Sequence, residues 1–270
     1  KAFDKVPHKR LIQKMKGYGL NGEILDWVQA FLTGRTHRVC VNGKLSDEAP
    51  VTSGIPQGSV LGPTLFILFI NDLPDEVQNS VYLFADDTKI FGRANNINNT
   101  ESLQDDLDRL HAWSKKWLLA FHPGKCKVLR LGNRTNSEPY QYQLDNNILE
   151  ETTCEKDLGV LIDNKLSFSE HISQKISKAN QVMGTIRRSF RHINKPIFKK
   201  LFKAMVQPHV EYAAPTWNPH HKQETRRIES VQRRATKQIP ELKNLNYKER
   251  LEALKLPTLA YRRMRGDLID

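Results

Sequence analysis

Two adjacent carboxylates, Asp86 and Asp87, stand inside the stretch Tyr82-Leu83-Phe84-Ala85-Asp86-Asp87-Thr88-Lys89-Ile90-Phe91. Apolar, β-prone residues flank them on both sides, which reads as a strand, a tight turn and a strand with the acids at the turn. Asp is common in turns because its side chain hydrogen-bonds nearby backbone, and that suffices to explain a lone Asp-Asp pair. Set among apolar neighbours, this pair is expected to be partly desolvated. Two such carboxylates repel each other unless a proton or cation lies between them. A hard divalent cation with oxygen ligands is the fitting partner, so Asp86 and Asp87 form a candidate magnesium site.

A second candidate precedes them. Ser53-Gly54-Ile55-Pro56-Gln57-Gly58-Ser59-Val60-Leu61-Gly62-Pro63 places glycines and a proline around Gln57. Glycine allows close backbone approach to a ligand and dihedrals that other residues avoid. Such a loop either shapes a ligand site or merely connects two elements. Pro63 suits the first turn of the helix that follows, Thr64 to about Leu73.

The elements that must hold these groups follow from periodicity. Leu11, Ile12, Met15 and Tyr18 predict a helix over 8–20, and Ile24 to Leu32 predict a second that Gly34 closes. Arg38 to Val41 and Lys44 to Val51 read as strands joined by Asn42-Gly43. Asn95 to Asn99 reads as a polar loop. Thr100 and Glu101 then open a long helix with Leu103, Leu107, Leu110, Trp113, Trp117 and Leu118 on one face, ended at Pro123-Gly124. Lys125 to Leu131 alternates as a strand, Gly132 to Pro139 is a polar link, and two short strands flank Asp145-Asn146-Asn147. A further strand falls in Thr153–Asp163. From Ser169 onward the pattern is helical: about 169–190, 196–206 with Pro208 interrupting, 223–238, 247–255 and 258–268. The fold class is α+β.

The chain has 270 residues and a formal charge of +12. Residues 171–270 hold 22 Lys and Arg against 8 Asp and Glu, leaving 20 against 22 in residues 1–170. A basic last third suits either a polyanion partner or solvated helix faces. Arg226, Arg227, Arg233, Arg234 and Lys237 lie on the helix over 223–238, away from its apolar Ile228, Val231 and Ala235. The cysteines, Cys40, Cys126 and Cys154, have neither metal-finger nor disulfide-framework spacing, which fits a reducing compartment. No apolar run reaches the roughly 18 residues of a membrane span. His209, His220 and His221 lack the cysteine spacing of a zinc site and read as packing or surface residues. Trp27, Trp113 and Trp117 sit on apolar helix faces and are expected in the core. Trp217, between Pro215 and Pro219, is open to either packing or base stacking.

The order of motifs is specific. Lys1-Ala2-Phe3-Asp4-Lys5-Val6-Pro7-His8 comes first, then Ser53 to Ser59, then Phe84-Ala85-Asp86-Asp87. Trp113, Trp117, Lys125-Cys126-Lys127 and Lys156-Asp157-Leu158-Gly159-Val160 follow, and then Val206 to Ala213 and Gln232 to Thr236. This set resembles the reverse transcriptase of non-LTR (LINE-type) retrotransposons, of the jockey-like or chicken-repeat group, across essentially the whole chain. The resemblance implies a right-hand polymerase: a partial palm of antiparallel sheet and helices over 1–132, a segment with a primer-grip-like turn over 133–168, and a basic helical thumb over 169–270. It implies magnesium-dependent transfer of deoxynucleotides to a primer 3′ end on an RNA template, with two metals in the parent about 4 Å apart. Partners would be the RNA template, a DNA primer or target and deoxynucleoside triphosphates, in the nucleus or cytoplasm. No oligomeric state is implied.

Residue by residue, the resemblance makes Asp86 the metal-binding acid and Asp87 its neighbour, contributing charge more than ligation. Gln57 and Gly58 would lie nearest the incoming nucleotide and the template base. Phe3 matches the ring under the nucleotide sugar, where its bulk excludes a 2′-hydroxyl. Lys125 would protonate the pyrophosphate, and Leu158, Gly159 and Val160 would hold the primer end. The basic helices would grip phosphates. In the family another metal-binding Asp stands five residues before the aromatic that Phe3 matches, and these residues begin two before it. Asp4 lies on the wrong side of the aromatic to replace that acid. The 270 residues alone are therefore expected to be inactive, as a polymerase fragment or as a nucleic-acid-binding remnant.

Overall fold

The computed structural model describes residues 2–94, 96–132, 140–190 and 192–267. The fold mixes helices with short strands, and the contacts divide it into two compact units. The first comprises Lys1–Val128 with Ser137–Glu150, the second Leu129–Asn136 with Glu151–Asp270. The expected link from Gly132 to Pro139 lies, past Gly132, outside the described residues.

Among the described residues four α-helices build the first unit: α1 (His8–Gly17), α2 (Glu23–Leu32), α3 (Gly62–Ile70) and α4 (Ile97–Trp117). Leu25, Val28 and Leu32 fall on one face of α2 and are buried, as helical periodicity requires. Pro63 sits in the first turn of α3, whose Leu65, Phe66, Phe69 and Ile70 are buried. α4 starts earlier than its sequence suggests. Asn96 caps it by accepting a 2.9 Å hydrogen bond from the Asn99 N–H, so residues read as loop become its first turn. Leu118, at φ 58°, closes it.

One core joins these helices, with Leu11, Phe66, Phe69, Leu110 and Trp113 at its centre. Lys14 is buried in it. Its ammonium donates to the Phe69 carbonyl at 2.6 Å and pairs with Asp72, while lying 4.0 Å from the centre of the Trp117 ring. Burial lowers the Lys14 pKa, and Asp72 opposes that shift. Trp113 and Trp117 are core residues as expected, but Trp27 is 57% exposed and stacks on Phe31. Its place on α2 lies outside the Leu25–Val28–Leu32 stripe.

The strands of this unit are short antiparallel ladders. β1 (Thr36–His37) pairs with β4 (Ala49–Pro50), and β2 (Cys40–Val41) with β3 (Lys44–Leu45). The Asn42-Gly43 turn is present, both residues at positive φ, but the return strand is broken between β3 and β4 rather than running from Lys44 to Val51. β5 (Ser80–Phe84) pairs with β6 (Asp87–Phe91). The chain crosses between units within β7 (Lys127–Leu129) and β10 (Glu150–Thr152), and between them β8 (Gln143–Leu144) pairs with β9 (Asn147–Ile148). Every ladder among the described residues is two-stranded, so the antiparallel sheet expected of residues 1–132 is present as separate two-stranded ladders.

The second unit opens on a hairpin, β11 (Cys154–Asp157) and β12 (Val160–Asp163). Asp163 accepts from the backbone N–H groups of Lys165, Ser167 and Phe168, ordering the turn into α5 (Ser169–Ser189). Then come α6 (Lys195–Leu201), a π-helical turn over Phe202–Val206 and a 3-10 turn over Gln207–Val210 that contains Pro208, where the missing N–H of proline breaks the helical ladder. α7 (Ala214–Trp217), α8 (Lys222–Thr236), α9 (Tyr247–Leu254) and α10 (Leu259–Asp267) complete it. Ile172, Ala179 and Met183 of α5 share a core with Phe198, Phe202, Trp217, Ile228 and Leu259. Trp217 is thereby settled as a packing residue, its indole N–H donating to the Tyr212 carbonyl. No described helix is long and apolar enough to cross a membrane.

Candidate functional site

The acidic pair sits where its sequence places it. In the β5–β6 ladder Phe84 faces Asp87, leaving Ala85-Asp86 as a two-residue turn. Ala85 adopts φ 51°, a left-handed conformation unfavourable for a residue with a Cβ and tolerated where the surroundings enforce it. Val81, Leu83 and Ile90 pack against the core of the first unit, while Tyr82 and Phe84 are 63% and 62% exposed on the other face. Alternation along a strand produces this split. Asp86 and Asp87 are both exposed. The expected partial desolvation is therefore absent, because the pair projects from a tight turn rather than lying between apolar strands.

The hairpin is anchored from below by a residue that the sequence reading passed over. Asp106 of α4 is fully buried and accepts from the backbone N–H groups of Gln78 and Asn79, at 2.9 and 2.8 Å, and from the Asn79 amide at 2.8 Å. Gln78 and Asn79 immediately precede β5. Helical spacing carried the clue: an acid three residues after Leu103 and four before Leu110 falls on the buried face.

The glycine-rich loop is joined to the opening motif. The Gly54 N–H donates to the Val6 carbonyl and the Ile55 N–H to the Phe3 carbonyl, both at 2.9 Å. His8 donates through Nε2 to the Gly54 carbonyl at 2.8 Å. Beyond this seam Gln57 and Gly58 are exposed, and Gly58 has φ 78° with open space where a Cβ would be. Ser59 stabilises the return into α3, its hydroxyl donating to the Pro56 carbonyl and accepting from the Gly62 N–H. The Phe3 ring stacks on Phe66 with centroids 4.2 Å apart. Phe3, Leu83 and Ile90 thus flank one core, which brings the opening motif and the acidic hairpin into one unit. Lys125 is exposed in a 3-10 turn over Pro123–Lys125, and the strand expected from it shortens to β7.

In the second unit Asp157 faces Val160, so Leu158 and Gly159 form the turn of the β11–β12 hairpin, at φ 43° and 86°. Tyr212 holds this turn by donating its hydroxyl to the Leu158 carbonyl at 2.8 Å. Arg226, Arg233 and Arg234 on α8 and Lys237 just past its end are exposed, whereas Ile228, Val231 and Ala235 are buried. Arg233 lies over the Tyr247 ring at 4.5 Å. Arg227 departs from the expected free cation. It is half-buried, paired with Glu224 at 2.8 Å and bonded to the Ser173 hydroxyl.

The reverse transcriptase (RNA-dependent DNA polymerase) family matches residues 1–162. The chain belongs to that family. It is 35% identical over 181 residues to the RNA-directed DNA polymerase from mobile element jockey of Drosophila melanogaster, covering 64% of this chain and 20% of that protein. Identity is 29% over 254 residues with the jockey polymerase of Drosophila funebris, covering 88% and 27%. The probable RNA-directed DNA polymerase from transposon X-element of Drosophila melanogaster is 26% identical over 252 residues, again covering 88% and 27%. The chain thus spans between 20% and 27% of the length of these curated relatives, and the jockey-like resemblance of its motifs is upheld.

A family of this kind implies a divalent metal. The exposed carboxylates of Asp86 and Asp87 are the hard oxygen donors that magnesium takes. Among the described residues, however, no group of three or more His, Cys, Asp and Glu is placed to hold a metal ion. The donor type fits; the donor number, from these residues alone, does not.

Proposed function

We propose that the chain is the polymerase portion of a non-LTR retrotransposon reverse transcriptase, extending a DNA primer on an RNA template. Residues 1–132 form part of the palm, 133–168 carry the primer-grip-like turn and 169–270 form the thumb. The observation that carries this reading is the backbone seam between Phe3–Val6 and Gly54–Ile55, which unites two motifs far apart in sequence within a family member.

In the reaction, the primer 3′ oxygen bonds to the α-phosphorus of the incoming deoxynucleotide while the bond to pyrophosphate breaks. Phe3 backs the sugar, and Gln57 and Gly58 present an exposed surface to the nucleotide, with open space at Gly58. Lys125 is free in solvent to give a proton to the leaving pyrophosphate. Leu158, Gly159 and Val160 hold the primer end, and Arg226, Arg233, Arg234 and Lys237 contact backbone phosphates. Magnesium, held by Asp86 with Asp87 and a further acid of the parent protein, would supply charge neutralisation at the reacting phosphate.

Primer extension on an RNA template with magnesium tests this, comparing these 270 residues with a longer parent that includes its upstream acid. Activity of the longer protein, abolished by Asp86→Ala, is the expected result. Silence of both, with salt-sensitive duplex binding retained, would replace it with a non-catalytic nucleic-acid-binding remnant.

A further inference from the structure

The β5–β6 hairpin carries Asp86 at its tip, and its surroundings decide how firmly that tip is placed. Among the described residues no third strand pairs with the ladder. Its outer face, with Tyr82, Phe84 and Phe91, is exposed. Its inner face packs through Val81, Leu83 and Ile90. Apolar packing of this kind fixes depth but, being non-directional, leaves tilt and slide weakly set. Directional bonds enter at the open end of the hairpin, opposite the turn.

One carboxylate collects them. Both oxygens of the buried Asp106 are engaged. Oδ1 accepts from the Gln78 N–H at 2.9 Å and from Arg109 at 3.3 Å. Oδ2 accepts from the Asn79 N–H and from the Asn79 side-chain amide, each at 2.8 Å. Asn79 extends the grip. Its amide also donates to the Ser102 hydroxyl of α4 at 3.2 Å. Its side-chain oxygen lies against Gly92, just past β6, where a Cβ would come within 3.3 Å of that oxygen and of Leu103. Both ends of the ladder are thus seated on α4 through Asp106 and Asn79. β5 has five residues, so the turn stands about 17 Å from this base. A tilt of about 3° at the base moves Asp86 by about 1 Å, and a misplacement of that size slows a reaction on the order of 100-fold.

We propose that Asp106 is a positioning residue for the polymerase reaction. It touches neither nucleotide nor primer, and acts by fixing the tilt of the hairpin and so the place of the Asp86 carboxylate. The role rests on the polymerase reading. It carries a signature that lost stability does not: turnover falls while nucleotide affinity holds, because Phe3, Gln57 and Gly58 lie on other elements.

The test uses the longer parent for kinetics and the 270-residue chain for NMR, under conditions where circular dichroism shows every variant folded. Asp106→Asn keeps the size of the side chain but turns one accepting oxygen into an NH2 that faces its former donors. Asn79→Ala is a second, milder variant, and Leu25→Ala is a control that opens a cavity in the core from α2. In primer extension Asp106→Asn is expected to lower kcat about tenfold or more with KM for the deoxynucleotide within about twofold. Asn79→Ala should follow the same pattern more weakly, and Leu25→Ala should leave kcat within about twofold. In the 270-residue chain both hairpin variants should shift or broaden the Asp86 and Asp87 amide resonances and leave that of Gly58 in place. An unchanged kcat in both hairpin variants, or an equal fall in Leu25→Ala, would reduce Asp106 to a structural role and overturn the proposal. A raised KM at full kcat would move its effect to nucleotide binding and also overturn it. A parent that extends no primer would remove the polymerase reading and this role with it, whereas an active parent indifferent to Asp106→Asn would remove this role alone.

Discussion

The backbone of Gly54 lies directly against that of Asp4: a Cβ on Gly54 would come within 2.7 Å of the Asp4 carbonyl oxygen and 2.8 Å of its Cα. Gly54 also has φ 91°, so two independent constraints exclude a side chain. Gly58, four residues on, is at φ 78° with open space around it.

Gly54→Ala is therefore expected to cost about 3 kcal/mol, through strain and displaced backbone, and Gly58→Ala about 1 kcal/mol, through strain alone. Urea unfolding of the two variants measures this. Equal midpoints would mean that the Gly54–Asp4 contact is not what fixes the loop.

Asp106→Ala leaves three part-buried donors at Gln78 and Asn79 without their acceptor. A loss of about 3 kcal/mol is expected. Amide hydrogen exchange localises it: Gln78, Asn79 and the β5–β6 ladder should exchange faster while α2 remains protected. Uniform loss of protection across the first unit would show that Asp106 supports the whole core rather than the base of the acidic hairpin.

Tyr212 and the Leu158–Gly159 turn give a matched pair of substitutions. Tyr212→Phe removes the hydroxyl bond to the Leu158 carbonyl and should cost about 1 kcal/mol. Gly159→Ala places a methyl 3.2 Å from the Tyr212 ring at a residue with φ 86° and should cost more. Combining Gly159→Ala with Tyr212→Ala, which removes the ring, should recover the steric part of that cost in a double-mutant cycle.

Stability of the second unit should fall in acid. His171 ionises near 4 in the folded chain because burial, and then Lys175, disfavour its charge, against about 6.5 when unfolded. Between these values the unfolded chain binds a proton that the folded chain does not. Stability is thus complete above about pH 6.5, declines as pH falls to about 4, and is flat below; the full loss is about 3 kcal/mol. His209, shifted the same way, adds to it. Unfolding midpoints at pH 7 and pH 4.5 measure the change, and His171→Gln should remove most of it.

Much of this protein was legible in its residues. Asn42-Gly43 announces a hairpin because both positions must take positive φ, and both do. Leu25, Val28 and Leu32, or Ile228, Val231 and Ala235, mark buried helix faces by spacing alone. The ordered motifs identify a reverse transcriptase, and local propensity places Asp86 on its turn. Local pattern misses the start of α4, because Asn96 acts as a cap only once its side chain finds the Asn99 N–H. It also misses the exposure of Trp27, since an apolar residue just off a helix stripe reads the same as one on it.

The tertiary structure decided what depends on partners distant in sequence. It determined that Asp86 and Asp87 meet solvent, that Arg227 is taken up by Glu224 and Ser173, and that Gly54 is pressed onto Asp4. It also gathered Lys156, His171, Lys175, Lys178 and His209 around one cleft. The physical reason is common to all four. Backbone preference and periodicity act over a few residues and are written in the sequence, whereas desolvation, ion pairing and steric approach are set by whichever groups the folded chain brings within a few ångströms.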